Sequence, residues 1–549
     1  MSTRRWRWWA GPWLVGLTFA GQAALAASPA EDFIYELQAG DNPWNITSRF
    51  LAGRQYWPRL LRHNRIVDAH RLAVGSRLRI PSEWLALRAV EVRLLSVHNA
   101  VLLRHAGSER PAVPGDRLAA GDVLVTSDSA VATLEIEDGS RILVRPGSSL
   151  SLVQADGPPA ESGSHAVVLR MHLLQGAIES IVKPVQPGGR FEIQTPSGVA
   201  AVRGTEYRVS AAGPSMTSEV VTGQVQVANP SGATRLAAVQ GTRVEQGRPP
   251  EAPTPLLAAP DLQGLPAKAE RLPLDLPLAP LVGAVAYRTQ IAADAAFTQV
   301  LSDVLTPAPR VRALDVDDGP RHVRVRGVDA RGLEGLAAQR ALVVHARPEP
   351  PMLLEPAPQA KLPVPEPMLR WTRGDTARQV RLQLAVSDAG SFEAPLVDRL
   401  LPDDGQWVLD QALPPGAYQW RVAAIDPQRG AGPWGDPQVF ERVLPAPGMT
   451  PVEPGAQPMT LRWQVASGAT GYRVQLAPAA SADKPIVDVR TDKEQAQLDV
   501  LPPGDYLVRV QALGSDQQAG PWSSPQRFTV PDQASRWPLL LLLLPFWLI

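Results

Sequence analysis

The chain has 549 residues, enough for several domains, and its 54 basic and 54 acidic side chains cancel to a net charge of zero. That balance gives no electrostatic case for nucleic acid. The absence of cysteine excludes disulfides, thiolate metal sites, cysteine nucleophiles and acylation at a leading cysteine. Lysine occurs only at 183, 268, 361, 484 and 493, so the basic residues are nearly all arginine, as an Ala-, Pro- and Gly-rich composition accompanies.

In chain order, Arg4, Arg5 and Arg7 precede an apolar stretch from Trp8 to Leu25, and Ala24-Leu25-Ala26 fits a small-residue cleavage site. This predicts an export signal over 1–26, with a non-cleaved anchor as the alternative. A long exported chain without disulfides suits a bacterial periplasm.

From Phe33 to Pro81 a small domain is predicted. Ile34, Tyr35 and Leu37 suit a strand, and Asp41 or Asn42 can cap a helix that has Pro43 at its first position. Ile46, Phe50 and Leu51 recur at helical spacing. Trp57, Leu60 and Leu61 give a second short helix ending near Asn64, and Gly75 turns the chain into a closing strand stopped by Pro81. The run Y-x-x-x-x-G-D-N-P-W-N-I, then W-x-x-L-L-x-x-N-x-I, then G-S-R-L-R-I-P resembles a LysM module over 31–84. That resemblance implies a βααβ fold that holds N-acetylglucosamine glycans such as peptidoglycan between two loops. Those loops are here Gly40, Asp41, Asn42 and Pro43, and Asn64, Arg65 and Ile66. Asp68-Ala69 and Val74-Gly75 depart from the family pattern, which has proline at Ala69 and Val74.

Short alternating strands punctuated by Gly and Pro dominate the rest, an all-β signal. Thr133 to Glu137 alternates, Asp138-Gly139 reads as a hairpin turn, and Arg141 to Val144 resumes the strand. Val199 to Val209 alternates around Gly204, and Thr222-Gly223 supplies a further turn. Pro114-Gly115-Asp116, Gly121-Asp122-Val123, Leu173-Leu174-Gln175-Gly176, Thr195-Pro196-Ser197-Gly198 and Val202-Arg203-Gly204-Thr205-Glu206-Tyr207 follow in order. The block 88–247 resembles a FecR domain, known from periplasmic regulators of iron-citrate signalling. The segment ahead of it is not the anti-sigma segment such regulators carry, so sigma-factor control does not transfer.

A Pro-rich stretch, 248–280, is expected to be a linker. Beyond it Leu369-Arg370-Trp371 recurs as Leu461-Arg462-Trp463, Pro414-Pro415-Gly416-Ala417-Tyr418 as Pro502-Pro503-Gly504-Asp505-Tyr506, and Gly432-Pro433-Trp434 as Gly520-Pro521-Trp522. This is a repeat of about 90 residues, with a weaker copy around Tyr287 and His322–Asp329. The units 281–348, 350–445 and 446–531 resemble fibronectin type III sandwiches, with Trp371 and Trp463 expected in the core and Tyr418 and Tyr506 at the buried tyrosine position. The wholly apolar tail 537–549 is expected to associate with a membrane, by partial insertion or a short tilted span.

Ser180-Ile181-Val182-Lys183 matches S-x-x-K but follows a strand, precedes Pro184 and lacks its partner motifs. Hydrolysis by two distant carboxylates has no signature here. The expectation is a mainly β, multidomain, non-enzymatic envelope protein without metal or cofactor. It binds peptidoglycan through 31–84 and presents its β domains to an envelope protein partner. The alternative is a periplasmic signal-sensing component acting through the FecR-type domain.

Overall fold

The computed structural model describes residues 32–532 apart from 70, 160–165, 185–188, 203, 388–391, 453–457 and 516–517. The expected export signal and apolar tail lie outside the described residues. The chain divides into two units, one ending at Val344 and the other beginning at His345. Among the described residues no helix is long and apolar enough to cross a membrane.

In the first unit, β1 (Asp32–Glu36) and β2 (Arg77–Pro81) pair antiparallel, Phe33 opposite Ile80 and Tyr35 opposite Leu78. Between them run two short helices, α1 (Pro43–Phe50) and α2 (Trp57–His63). Asn42 is the cap of α1, and its side chain accepts from the backbone of Trp44 and Asn45. Ile46, Phe50 and Leu60 are fully buried with Leu78 and Ile80, so the helical spacing seen in the sequence is the core-facing stripe.

From Arg88 to Pro255 the chain is almost continuous β-structure around one apolar core. Its organiser is the 14-residue strand Val168–Ile181. The first half pairs with Ser149–Gly157 and, in parallel, with Arg190–Thr195. The second half pairs with Arg141–Val144 and Glu206–Ala212. The change of partners falls at Gly176, where φ is +88° and a Cβ would sit 2.2 Å from Ser148 Oγ. Only glycine fits that bend without strain. The expected hairpin at Asp138-Gly139 joins Val131–Ile136 to Arg141–Val144, and the turn at Gly223 joins Ser215–Thr222 to Val225–Asn229.

The stretch 248–280 is not the free spacer that its proline content suggested. Leu256, Leu262, Leu265, Leu274 and Leu278 are buried, and strands Lys268–Ala269 and Leu274–Pro277 already belong to the next domain. That domain stacks a five-stranded sheet, centred on Gly319–Val328 between Glu334–Val344 and Ala286–Ala292, against the pair Leu274–Pro277 and Arg310–Ala313.

The second unit holds two more two-layer sandwiches. In the first, Met368–Trp371 lies in a three-stranded sheet opposite one built on Gln379–Val386 and Gly416–Asp426. The other repeats this with Met459–Arg462, Gly471–Pro478 and Gly504–Leu513. Trp371 and Trp463 are buried in their cores, and the hydroxyls of Tyr418 and Tyr506 donate to the carbonyls of Pro414 and Pro502, at 2.8 and 2.9 Å. This is the corner that a buried tyrosine makes in such sandwiches.

Candidate functional site

Two regions carry polar chemistry in the first unit. In the loop before α1, Asp41 accepts from the Tyr35 hydroxyl at 2.7 Å and from the Gln38 amide at 2.9 Å. Asn42 and Asn45 bond each other's backbone amides, and the Asn45 amide group donates to the Gly40 carbonyl at 3.0 Å. Gly40 is exposed with φ +89° and nothing within 4 Å of where a Cβ would be. Pro43 is buried at the start of α1.

After α2, Asn64 is drawn into the fold. Its amide donates to Leu60 O and to Arg79 O, at 3.0 and 2.7 Å, and its oxygen accepts from Arg79 N at 2.6 Å. It therefore bonds the backbone of β2 as a neighbouring strand would. Arg65 is exposed at φ +55°, and Ile66 packs against the module core. Of the seven predicted residues, then, Asp41, Asn42 and Asn64 spend their polar groups internally. Gly40 and Arg65 stay open to solvent. Trp44, not among the residues the sequence pattern singled out, is half exposed beside this loop, edge-on to Trp57 at 6.0 Å with the Arg54 guanidinium 5.7 Å from its ring. Its position right after Pro43, off the Ile46–Phe50 stripe, was the available signal.

The second region lies between the β-domain 88–255 and the sandwich that follows it. Leu143, Glu179, Arg208, Glu219 and Gly241 are successive cross-strand neighbours. Facing them are Arg288, Gln290, Asp303, Arg324, Arg326 and Glu334 of the sandwich. Glu179 receives a bidentate pair from Arg326, both at 2.7 Å, and a bond from Gln290 at 2.5 Å. Arg145 reaches Asp303 at 3.1 Å and Glu334 at 2.9 Å. Arg208 donates to the carbonyls of Glu334 and Gly335 at 2.5 and 3.0 Å and lies 3.6 Å from Glu219. Arg288 bridges Asp303 and Glu334. Beside the charges, Val131 and Leu143 pack on Ala292, Phe297 and Val300, and the Arg324 guanidinium sits 3.7 Å from the Phe297 ring.

The electrostatics follow from burial opposed by close partners. Burial alone raises a carboxyl, but at Glu179 the guanidinium groups of Arg326, Arg145 and Arg324 outweigh it and hold the group at about 2. Glu334 is held well below the usual range by Arg145, Arg288 and Arg326. Glu219 is the exception: burial pushes it up to about 7, since Arg208 is its main compensating charge and Glu334 adds repulsion. Burial also lowers Arg324 to about 10 despite Glu179. The cavity lined by Arg141, Tyr207, Arg208, Phe297 and Arg324 measures about 30 Å³. At roughly 10–15 Å³ each that holds two or three waters, and Glu179, Arg208 and Arg326 in its wall are already engaged with one another's domains. This is the chemistry of a joint, not of a metabolite site.

Ser180 and Lys183 do not form a nucleophile pair. Ser180 is buried within Val168–Ile181 opposite Tyr207, and Lys183 follows in extended chain, so neither shares a helix face with the other. Glu135 and Glu137 engage Arg93 and Arg88 at the surface.

Residues 122–226 match the family model described as FecR protein, so Glu179, Arg208 and Glu219 lie within the matched region. Among solved structures, a candidate anti-sigma factor from Parabacteroides distasonis ATCC 8503 is 19% identical with a TM-score of 0.20; the alignment covers 24% of this chain and 59% of that one. This chain thus spans less than two thirds of that protein. A two-domain fibronectin type III segment of chicken tenascin is 17% identical with a TM-score of 0.24, covering 34% of this chain and all of that one. The chicken CNTN1 FN1–FN3 domains are 15% identical with a TM-score of 0.16, covering 48% and 96%. At these scores the neighbours carry no argument about function. No curated protein matches. The family match does not extend to residues 32–84, for which no comparison shows LysM membership or glycan binding.

Proposed function

We propose that this chain is a non-enzymatic regulatory protein of the bacterial cell envelope, acting on the periplasmic side through its FecR-type domain. The observation that carries the reading is the FecR match over 122–226. Its geometry supports the same role: the matched strands are bonded through Glu179 and Arg208 to the first sandwich, so the two domains offer a partner protein one continuous body. Expression profiling tests it. Cells producing the full chain are compared with cells producing an exported chain that lacks residues 88–344. A regulator restores a defined set of transcripts only when 88–344 is present, and identical profiles overturn the proposal.

The second reading is a tether. The loops Gly40–Pro43 and Asn64–Ile66 hold an N-acetylglucosamine glycan of peptidoglycan, with the exposed ring of Trp44 offering apolar area to a pyranose face. The tail 537–549 holds the membrane. Titrating chitin oligomers into the full chain should shift the Gly40 and Arg65 amides and the Trp44 indole; unmoved resonances at millimolar sugar sink the tether.

A further inference from the structure

The two sandwiches of the second unit carry the same surface ladder. In the first, Arg381 pairs with both oxygens of Asp398, Gln383 donates to Asp398 at 2.9 Å, and Arg421 donates twice to the Gln383 oxygen, at 2.9 and 2.7 Å. The Arg421 guanidinium lies 4.4 Å from the Trp434 ring centre. In the second, Arg473, Asp488, Gln475, Arg509 and Trp522 reproduce every one of these contacts, with Arg509 4.6 Å from Trp522.

One position breaks the match. In the first sandwich Phe392 lies 4.0 Å from the Arg421 guanidinium, which therefore has an aromatic ring on Trp434 and another on Phe392. Phe392 stands three residues before Pro395. The residue three before the equivalent Pro485 is Ala482. There the structure has a notch of about 40 Å³, lined by Ala482, Pro485, Gln475, Leu507, Arg509 and Pro525. A water needs roughly 10–15 Å³ of the same measure. Gln419 of the first sandwich is replaced by Leu507, so the notch is also more apolar than its counterpart.

We infer that this notch is a docking site for an aromatic side chain presented by a partner polypeptide, which stacks on Arg509 as Phe392 stacks on Arg421. The chain itself supplies the template: the same guanidinium, held by the same glutamine and backed by the same tryptophan, accepts a phenyl ring one repeat earlier. The ladder also fixes Arg509 in advance, because two bonds to Gln475 and the Trp522 ring leave its plane little freedom. Arg509 is partnered by an amide and not by a carboxylate, so its charge remains available to a π-face.

The test uses the full chain labelled at tryptophan indole nitrogens, with the Trp522 resonance assigned by its disappearance in Trp522→Phe. N-acetyl-phenylalanine amide is the probe and N-acetyl-leucine amide the control. The expected result is a saturable shift of the Trp522 resonance with the phenylalanine amide alone, lost in Ala482→Phe, whose added ring fills the notch. No shift, an equal shift with the leucine amide, or a shift that persists in Ala482→Phe overturns the proposal. A shift that emerges only when residues 533–549 are removed also overturns it, since the chain's own end then occupies the site. Ala482→Phe must keep the cooperative melt of the parent; if it unfolds the sandwich, the notch does not admit a ring and the proposal fails there too.

Discussion

Arginine does opposite work in two regions of this molecule. Between the FecR-type domain and the sandwich after it, Arg145, Arg208 and Arg326 are almost wholly buried and meet Glu179, Glu334 and Asp303 away from water. On the later sandwiches Arg381 and Arg473 make equally short bonds to Asp398 and Asp488, but at the surface. Distance alone does not separate the two sets. The dielectric does: removing one member of a buried pair leaves an uncompensated charge, while an exposed survivor is rehydrated. The buried set therefore sets which faces can meet, and the exposed set shapes a surface.

The largest effect should come from Glu179→Gln. It leaves Arg326 and Gln290 facing a neutral group, and breaking a buried pair costs about 3–5 kcal/mol. Denaturant unfolding of the full chain should show the first unit destabilised, with amide exchange accelerating together in Glu206–Ala212 and Gly319–Val328. A midpoint equal to the parent's would mean that the charges are not jointly buried in solution. Trp463→Ala should cost a similar ~3–5 kcal/mol, but within the last sandwich, where the ring fills the core. Loss of protection confined to 459–530 is the expected readout, and glycan shifts at Gly40 should be unchanged.

Those two substitutions also mark what was legible in the sequence. Trp463 announced itself because core positions of a repeat recur in register, and Tyr506 followed for the same reason. The hairpin at Asp138-Gly139 and the Asn42 cap rest on local turn and cap chemistry, which neighbouring residues suffice to specify. Glu179, Arg208 and Glu219 gave no such sign. They sit on the face that period-two alternation assigns to solvent, and only the arrival of a second sheet buries them. The stretch 248–280 departs from the spacer its composition suggests for a related cause. Its prolines look like a spacer, while the leucines that fix it, Leu256, Leu262 and Leu265, follow no helical or strand period. In the loops 40–43 and 64–66 the element ends were legible, but not that Asn64 is consumed by β2 and that Trp44 is left outside.

A smaller effect separates the carboxyls of the joint by pH. Glu219 is raised in the folded chain to about 7 from an ordinary value of 4.5. Its protonated form is the one folding favours, so its contribution is complete below about 4.5 and is lost as pH rises through 7. Glu179, depressed to about 2, behaves oppositely: its contribution is present above about 4.5 and lost as pH falls toward 2. The first unit should thus lose on the order of 2–3 kcal/mol between pH 4.5 and 7 through Glu219, and Glu219→Gln should flatten that slope. An identical slope in the variant would show that burial does not raise Glu219 as its position implies.

The smallest effect is the one that sharpens the contrast most. A double-mutant cycle on Arg473 and Asp488 should give a coupling of only about 0.2–1 kcal/mol, and salt should reduce it, since both side chains are about one-third exposed. The same cycle on Arg326 and Glu179 should give several times more and change little with salt. Both pairs are bidentate with bond lengths within about 0.1 Å of each other, Arg326 through its two terminal nitrogens and Arg473 through Nε and one terminal nitrogen. A several-fold difference in coupling at equal bond lengths and bond number therefore reports chiefly on the surroundings of the pair. Equal couplings would mean that water reaches the buried pair, which would open the joint and remove the basis for treating the FecR-type domain and its sandwich as one body.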